Sequence, residues 1–305
     1  MANSQINITA APGLAIARIG HDGTGTATLT SSTLNIGNPV VAGDIPSNAR
    51  DGSLIVAGLA GSVGTMTLNT GSVVNTGYVG VGVSQAGQGG TGRLVLNDST
   101  INTTKFELGA SSVLTGNNGT INATGDVIIG GTIDPGNSPG RININCNLIM
   151  LEGSRLILEI ARDGDSFAVD HVTIGKESTF DLSKLEIVFS FLGDINPTTY
   201  AASGRLDLDN FLESGTAGTG LSTVFGTGRT WTDFVNFDKI SAVSDLYNVT
   251  ALQFDEKQGR VVVLNSAPIP EPSTWALMAF GMLALIVMAR RRQKALVALS
   301  TDRSH

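Results

Sequence analysis

Gly64-Thr65-Met66-Thr67-Leu68-Asn69-Thr70-Gly71-Ser72-Val73-Val74-Asn75 decides how the rest of the chain is read. Met66 and Leu68 alternate with Thr65 and Thr67, the period of a strand with one buried face. Thr70-Gly71 interrupts the alternation, and a second short run ends in a Ser-x-aliphatic-Asn pattern. The same plan precedes and follows it. Ala17-Arg18-Ile19-Gly20 leads to Gly25 through Asn35, Leu54 through Gly58 leads to the quoted stretch, and Val79 through Gly82 leads to Gly92 through Asn102. Leu29, Leu68 and Leu96 are therefore equivalent, spaced by 39 and then 28 residues. A unit this short cannot cover its own apolar face. Stacking successive units as rungs of a solenoid covers it, with Gly at the sharp corners and Asn and Thr in ladders along them. The uneven spacing is absorbed by a longer loop from Asn38 to Asp51, where Pro39 and Pro46 break the pattern.

Composition supports an all-β reading. The 305 residues include 38 Gly and only 15% charged and 5% aromatic residues, and Gly, Thr, Ser and Asn are weak in helix interiors. One elongated domain or two compact ones plus a tail fit this length. The formal net charge is −7, but residues 1–289 carry 14 basic and 25 acidic side chains, a net of −11. An acidic body lacks the clustered Lys and Arg that nucleic-acid phosphates need, so no nucleic-acid partner is expected. Cys146 stands alone, which excludes an intramolecular disulfide and any Cys-x-x-Cys metal site, and it reads as a buried residue.

Residues 130–191 vary the plan. Gly130-Gly131-Thr132-Ile133-Asp134-Pro135-Gly136-Asn137-Ser138-Pro139-Gly140 feeds the runs Ile142 to Met150 and Gly153 to Ile160. This segment resembles the autotransporter-associated β-strand repeat, and the resemblance implies a parallel β-helix with no catalytic role. From Gly193 to Leu264 the pattern loosens and aromatics gather (Phe211, Phe225, Trp231, Phe234, Phe237, Tyr247 and Phe254) before an alternating run from Arg260. The expected architecture is a parallel β-helix, or β-solenoid, over 1–192 and a terminal β-rich cap or subdomain over 193–264. A polar linker, 265–269, follows it.

The tail is the most explicit part of the sequence. Thr274 to Ala289 is sixteen uncharged residues, followed at once by Arg290-Arg291-Arg292. As a helix it covers about 24 Å, enough to span a bilayer with local thinning and arginine snorkelling, with Trp275 at interfacial depth. The basic cluster, 290–294, belongs on the cytoplasmic side and the body on the outer side of the inner membrane, with 295–305 as a cytoplasmic tail. Immediately before the helix stands Pro270-Glu271-Pro272-Ser273-Thr274-Trp275-Ala276-Leu277. This order of Pro-Glu-Pro, apolar helix and basic cluster resembles the PEP-CTERM sorting signal, placed here at 270–294. The resemblance implies recognition of Pro270, Glu271 and Pro272 by an exosortase, a membrane protease-transpeptidase of exopolysaccharide-producing Gram-negative bacteria, and release of the body to the cell exterior. The extension from Gln293 to His305 is longer than that family's short basic ending. Export also calls for an N-terminal signal, whereas Met1 to Thr9 has neither a basic region nor an apolar one, so the start is read as truncated or misassigned.

Two acidic groupings fit the rival reading, a β-helix polysaccharide lyase or hydrolase. These are Asp126 and Asp134 with Arg141, and Asp163, Asp165 and Asp170 with Arg162. Neither has a recognisable spacing. Gly87 to Gly92 lacks the Lys-Ser/Thr of a phosphate loop, Leu206 to Asn210 lacks the Gly and Glu of a calcium loop, and His21 and His171 have no partner at ligand spacing. No cofactor or metal is expected. The expected function is that of an exported, non-catalytic surface or matrix protein in adhesion or biofilm, with exosortase, the inner membrane and exopolysaccharide as partners.

Overall fold

The computed structural model describes residues 4–8, 15–37, 52–84, 87–136, 139–175, 178–215, 218–269 and Met282. The loop expected over 38–51, the Pro-Glu-Pro triplet, the basic cluster and the apolar run apart from Met282 lie outside them. The chain divides into two compact units, Met1–Ser266 and Ala267–His305.

In the first unit, alternation along the chain becomes alternation between two sheets. Val63–Asn69 lies in a nine-stranded sheet, Val73–Val81 in an eleven-stranded one, Thr91–Leu96 in the first again and Thr100–Leu108 in the second. Successive turns pair in parallel in both sheets. Parallel pairing with a return through the other sheet on every turn is the geometry of a β-solenoid.

The register matches equivalent residues rung by rung. Leu29 pairs with Leu68 and Leu68 with Leu96. One position class in the nine-stranded sheet runs Ala27, Met66, Leu94, Leu114, Ile133, Leu156, Ile187 and Ile240, each in register with the next. In the other sheet Leu34, Val74, Ile101, Ile121, Ile144 and Ile174 form the facing row. Most of these side chains are fully buried, and each contributes roughly 1.5–3 kcal/mol by leaving water. Strand bends explain the buried Thr76 and Thr103. The register shifts between Thr103 and Phe106 and between Asn122 and Asp126, so each long strand turns a corner there and starts a further face.

Two stacked corners rely on the left-handed backbone region. Ser31, Thr70, Asp98 and Asn118 occupy it where the chain passes from one sheet to the other, and short polar side chains tolerate it best. At the return corner stand Gly20, Ala57 and Gly82. Gly82 holds a φ of 65° there, and a Cβ on the neighbouring Gly64 would lie 2.6 Å from the Ala57 nitrogen. The left-handed backbone at Gly82 and the close backbone approach at Gly64 require glycine at these two positions.

Parallel stacking continues past residue 192, so that expected boundary is not an edge of the solenoid. His171–Ile174 pairs with Leu212–Ser214, and Glu186–Phe191 with Ile240–Ser244. Between them short helical turns bring Phe225 onto Phe234 at 4.2 Å, with Phe180 5.0 Å from Phe234 and Phe189 5.0 Å from Phe211. These rings join the aliphatic rows in one hydrophobic core. The expected linker at 265–269 also differs. The strand Arg260–Pro268 runs through most of it.

Candidate sorting signal and binding face

Outward positions of the eleven-stranded sheet form a ladder. Asn7, Asn35, Asn75, Asn102, Asn122 and Asn145 stack, each side-chain amide donating to the carbonyl oxygen of the one before at 2.7–2.9 Å. The beginning of each rung puts the last residue of Ser-x-aliphatic-Asn here, and the following rungs repeat it. Beside the ladder run Thr33, Val73, Thr100, Thr120 and Asn143, again in register. None of these side chains ionises, so an acidic body carries one extended neutral face with donors and acceptors at the ~4.8 Å strand spacing.

The neutral face gives way to a charged cluster that sequence spacing did not group. Glu213 is buried and in register with Thr173. It takes a bidentate pair of bonds from Arg141, a bond from Thr173 Oγ1 at 3.2 Å and one from the Gly218 nitrogen at 3.0 Å. His171 Nδ1 lies 3.1 Å from Glu213 Oε1 without hydrogen-bond alignment. Burial pulls the Glu213 carboxyl upward, but Arg141, the Gly218 N–H and His171 outweigh it and hold it below its usual range. Burial pushes His171 down against the pull of Glu213, favouring the neutral ring.

The two acidic groupings read from sequence do not assemble as ion pairs. Arg141 is committed to Glu213, while among the described residues Asp126 receives a long bond from Asn147 at 3.5 Å. Asp134 is half-buried and burial raises its carboxyl, opposed by Arg93. Arg162 pairs with Asp194 at 2.8 Å, and Asp163 and Asp165 are exposed near a hairpin turn. Asp170 is fully buried. Its two oxygens accept from the Gly140 nitrogen at 2.7 Å and the Glu159 nitrogen at 2.9 Å. Among the described residues no group of three His, Cys, Asp or Glu side chains is placed to hold a metal ion.

The remaining motif residues are structural in geometry. Asp207 caps the turn Leu208–Asn210, and Asp209 accepts from the Ser222 nitrogen at 2.8 Å. Gly89 and Gly90 pack against backbone carbonyls at a corner. His21 Nδ1 is buried against the position of Gly58. Cys146 is buried, which pushes its thiol up to about 12.

The C-terminal unit is described for Ala267–Ile269 and Met282 only, so Pro270, Glu271, Pro272, Ser273, Thr274, Trp275, Arg290, Arg291 and Arg292 are placed by sequence alone. Residues 268–292 match the PEP-CTERM protein-sorting motif. The chain therefore carries a PEP-CTERM sorting motif, and the match covers the triplet, the apolar run and the first arginines. No helix among the described residues is long and apolar enough to cross a membrane, and the expected helix at 274–289 falls outside them apart from Met282. No curated protein and no solved structure matches the chain.

Proposed function

We propose that this chain is an exported, non-catalytic surface or matrix protein. An exosortase recognises Pro270-Glu271-Pro272, the 274–289 helix holds the tail in the inner membrane during processing, and the body is delivered to the cell surface of an exopolysaccharide-producing Gram-negative bacterium. The observation that carries this reading is the PEP-CTERM match at residues 268–292. The body's role is adhesion or association with exopolysaccharide through its neutral Asn/Thr face. Support comes from the amide ladder and from carboxylates already engaged by Arg141, Arg162 or backbone N–H groups. The 130–191 segment, with its autotransporter-like turn, acts as part of this scaffold.

Fractionation of the native host tests the sorting step. A shortened body outside the cell in the parent strain, with full-length protein retained in the membrane when the exosortase is deleted, is the expected result. Retention of full-length protein in both strains makes the tail a plain anchor and refutes exosortase processing.

A further inference from the structure

The strand that leads into the sorting motif is apolar on both of its faces. Within Arg260–Pro268, Val261 and Val263 are 2% and 1% exposed and belong to the core, while Val262 and Leu264, which alternate with them, are 39% and 55% exposed. A strand with water on one side ordinarily alternates apolar and polar residues, and the neighbouring Tyr247–Asp255 does so. There Val249 and Phe254 pack on the core, and Asn248, Thr250, Gln253 and Asp255 are exposed. Charge is missing from the last strand as well. Arg260 pairs with Asp207 at 3.3 Å, and from Val261 to Ala289 the sequence holds one charged residue, Glu271.

We infer that Val262 and Leu264 rest on the bilayer, in the interfacial layer of the leaflet on the body's side. The inference rests on the reading of 274–289 as a membrane helix and names the part of the body that meets lipid. Two features choose lipid as the partner. Leu264 and Thr274 are ten residues apart, so at most about 33–36 Å of extended chain separates this strand from the start of the apolar run. An exposed aliphatic pair held that close to the headgroups gains by leaving water at the boundary with the acyl chains. The second feature is the chemistry of the segment. With no Lys or Arg from Val261 to Ala289, nothing in it seeks anionic headgroups, so the contact is apolar and independent of salt.

Fluorescence quenching in phosphatidylcholine vesicles tests the contact, with the full chain reconstituted and part of the lipid brominated close to the headgroup. One fluorophore is attached at Asn265→Cys, an exposed position beside Leu264, or at Thr26→Cys, exposed on the strand Thr24–Thr30 at the other end of the nine-stranded sheet. Labelling of the parent chain measures the background from the buried Cys146. Emission from Trp275 reports the tail, since Trp231 is buried in the body. Bromolipid is expected to quench Asn265→Cys and Trp275 but not Thr26→Cys, with or without added salt. Val262→Thr combined with Leu264→Thr keeps strand propensity while removing apolar surface, and is expected to cut the Asn265→Cys quenching at least about twofold with the thermal midpoint unchanged. An unquenched Asn265→Cys beside a quenched Trp275 overturns the contact and leaves the membrane helix standing. Quenching that survives the double substitution, or that salt abolishes, also overturns it. An unquenched Trp275 overturns the membrane reading of the tail, and the contact falls with it.

Discussion

Asp170 ties acidity to the stability of the body. Burial raises its carboxyl from 3.8 to about 7, against two backbone donors that pull the other way. A carboxyl whose folded value lies above its unfolded one takes up its proton more readily when folded. Its stabilising contribution is complete below the unfolded value and disappears as pH rises through about 7. Glu213 has the opposite sign, since its value is depressed and its contribution is present above the ordinary glutamate value and lost as pH falls below it. Chemical denaturation of the wild type is therefore expected to become easier from about pH 4 to pH 7, by at most about 1.4 kcal/mol per pH unit from this group. Asp170→Asn should flatten that slope while lowering stability at acid pH, because its amide faces a backbone N–H; an unchanged slope assigns the effect to other groups. Sequence spacing set Asp170 beside Arg162, Asp163 and Asp165. What separates it from them is burial and two N–H donors from residues 30 and 11 positions away. Local spacing carries no trace of either, nor of the 72-residue separation between Arg141 and Glu213.

Along a single strand, the ladder is legible because each rung spends one residue on it at a constant place. Asn35, Asn75 and Asn102 follow the same Ser-x-aliphatic frame, and amides that stack in register satisfy one another. The corner inside each long strand was not legible. Gly77 and Gly125 stand inside it and interrupt the alternation, and only the register shifts and the buried Thr76 and Thr103 reveal it. Asn102→Ala removes the bond donated to Asn75 and the one accepted from Asn122, at 2.8 and 2.9 Å. Each neutral bond is worth about 0.5–1.5 kcal/mol, so the loss should be about 1–3 kcal/mol in urea unfolding with an unchanged denaturant slope. Asn145→Ala, at the end of the ladder, breaks one such bond and should cost about half as much. Equal costs at the two positions count against cooperative stacking along the face.

At the scale of the body, the 39- and 28-residue spacings of Leu29, Leu68 and Leu96 predicted the stacking, and the register pairs those three leucines. The later region was harder to read, because its rungs are closed by aromatic packing and short helical turns with no fixed spacing, as in Phe180, Phe225 and Phe234. The sorting signal was legible throughout because its order of triplet, apolar run and arginines is continuous in sequence. Deleting residues 69–96 removes one full register period and joins Leu68 to Asn97, leaving the aliphatic rows aligned and bringing Asn102 opposite Asn35. The shortened chain is expected to keep its β circular dichroism spectrum and a single melting transition, displaced modestly downward. Deleting 69–82 instead removes part of a turn and should abolish that transition. A similar loss from both deletions argues against interchangeable turns.

Parallel pairing of each turn with the one before it has a consequence for a chain that emerges from a pore in sequence order. Every completed turn offers an open strand edge, and the next 20 to 40 residues bring the strand that covers it. Folding can then keep pace with emergence.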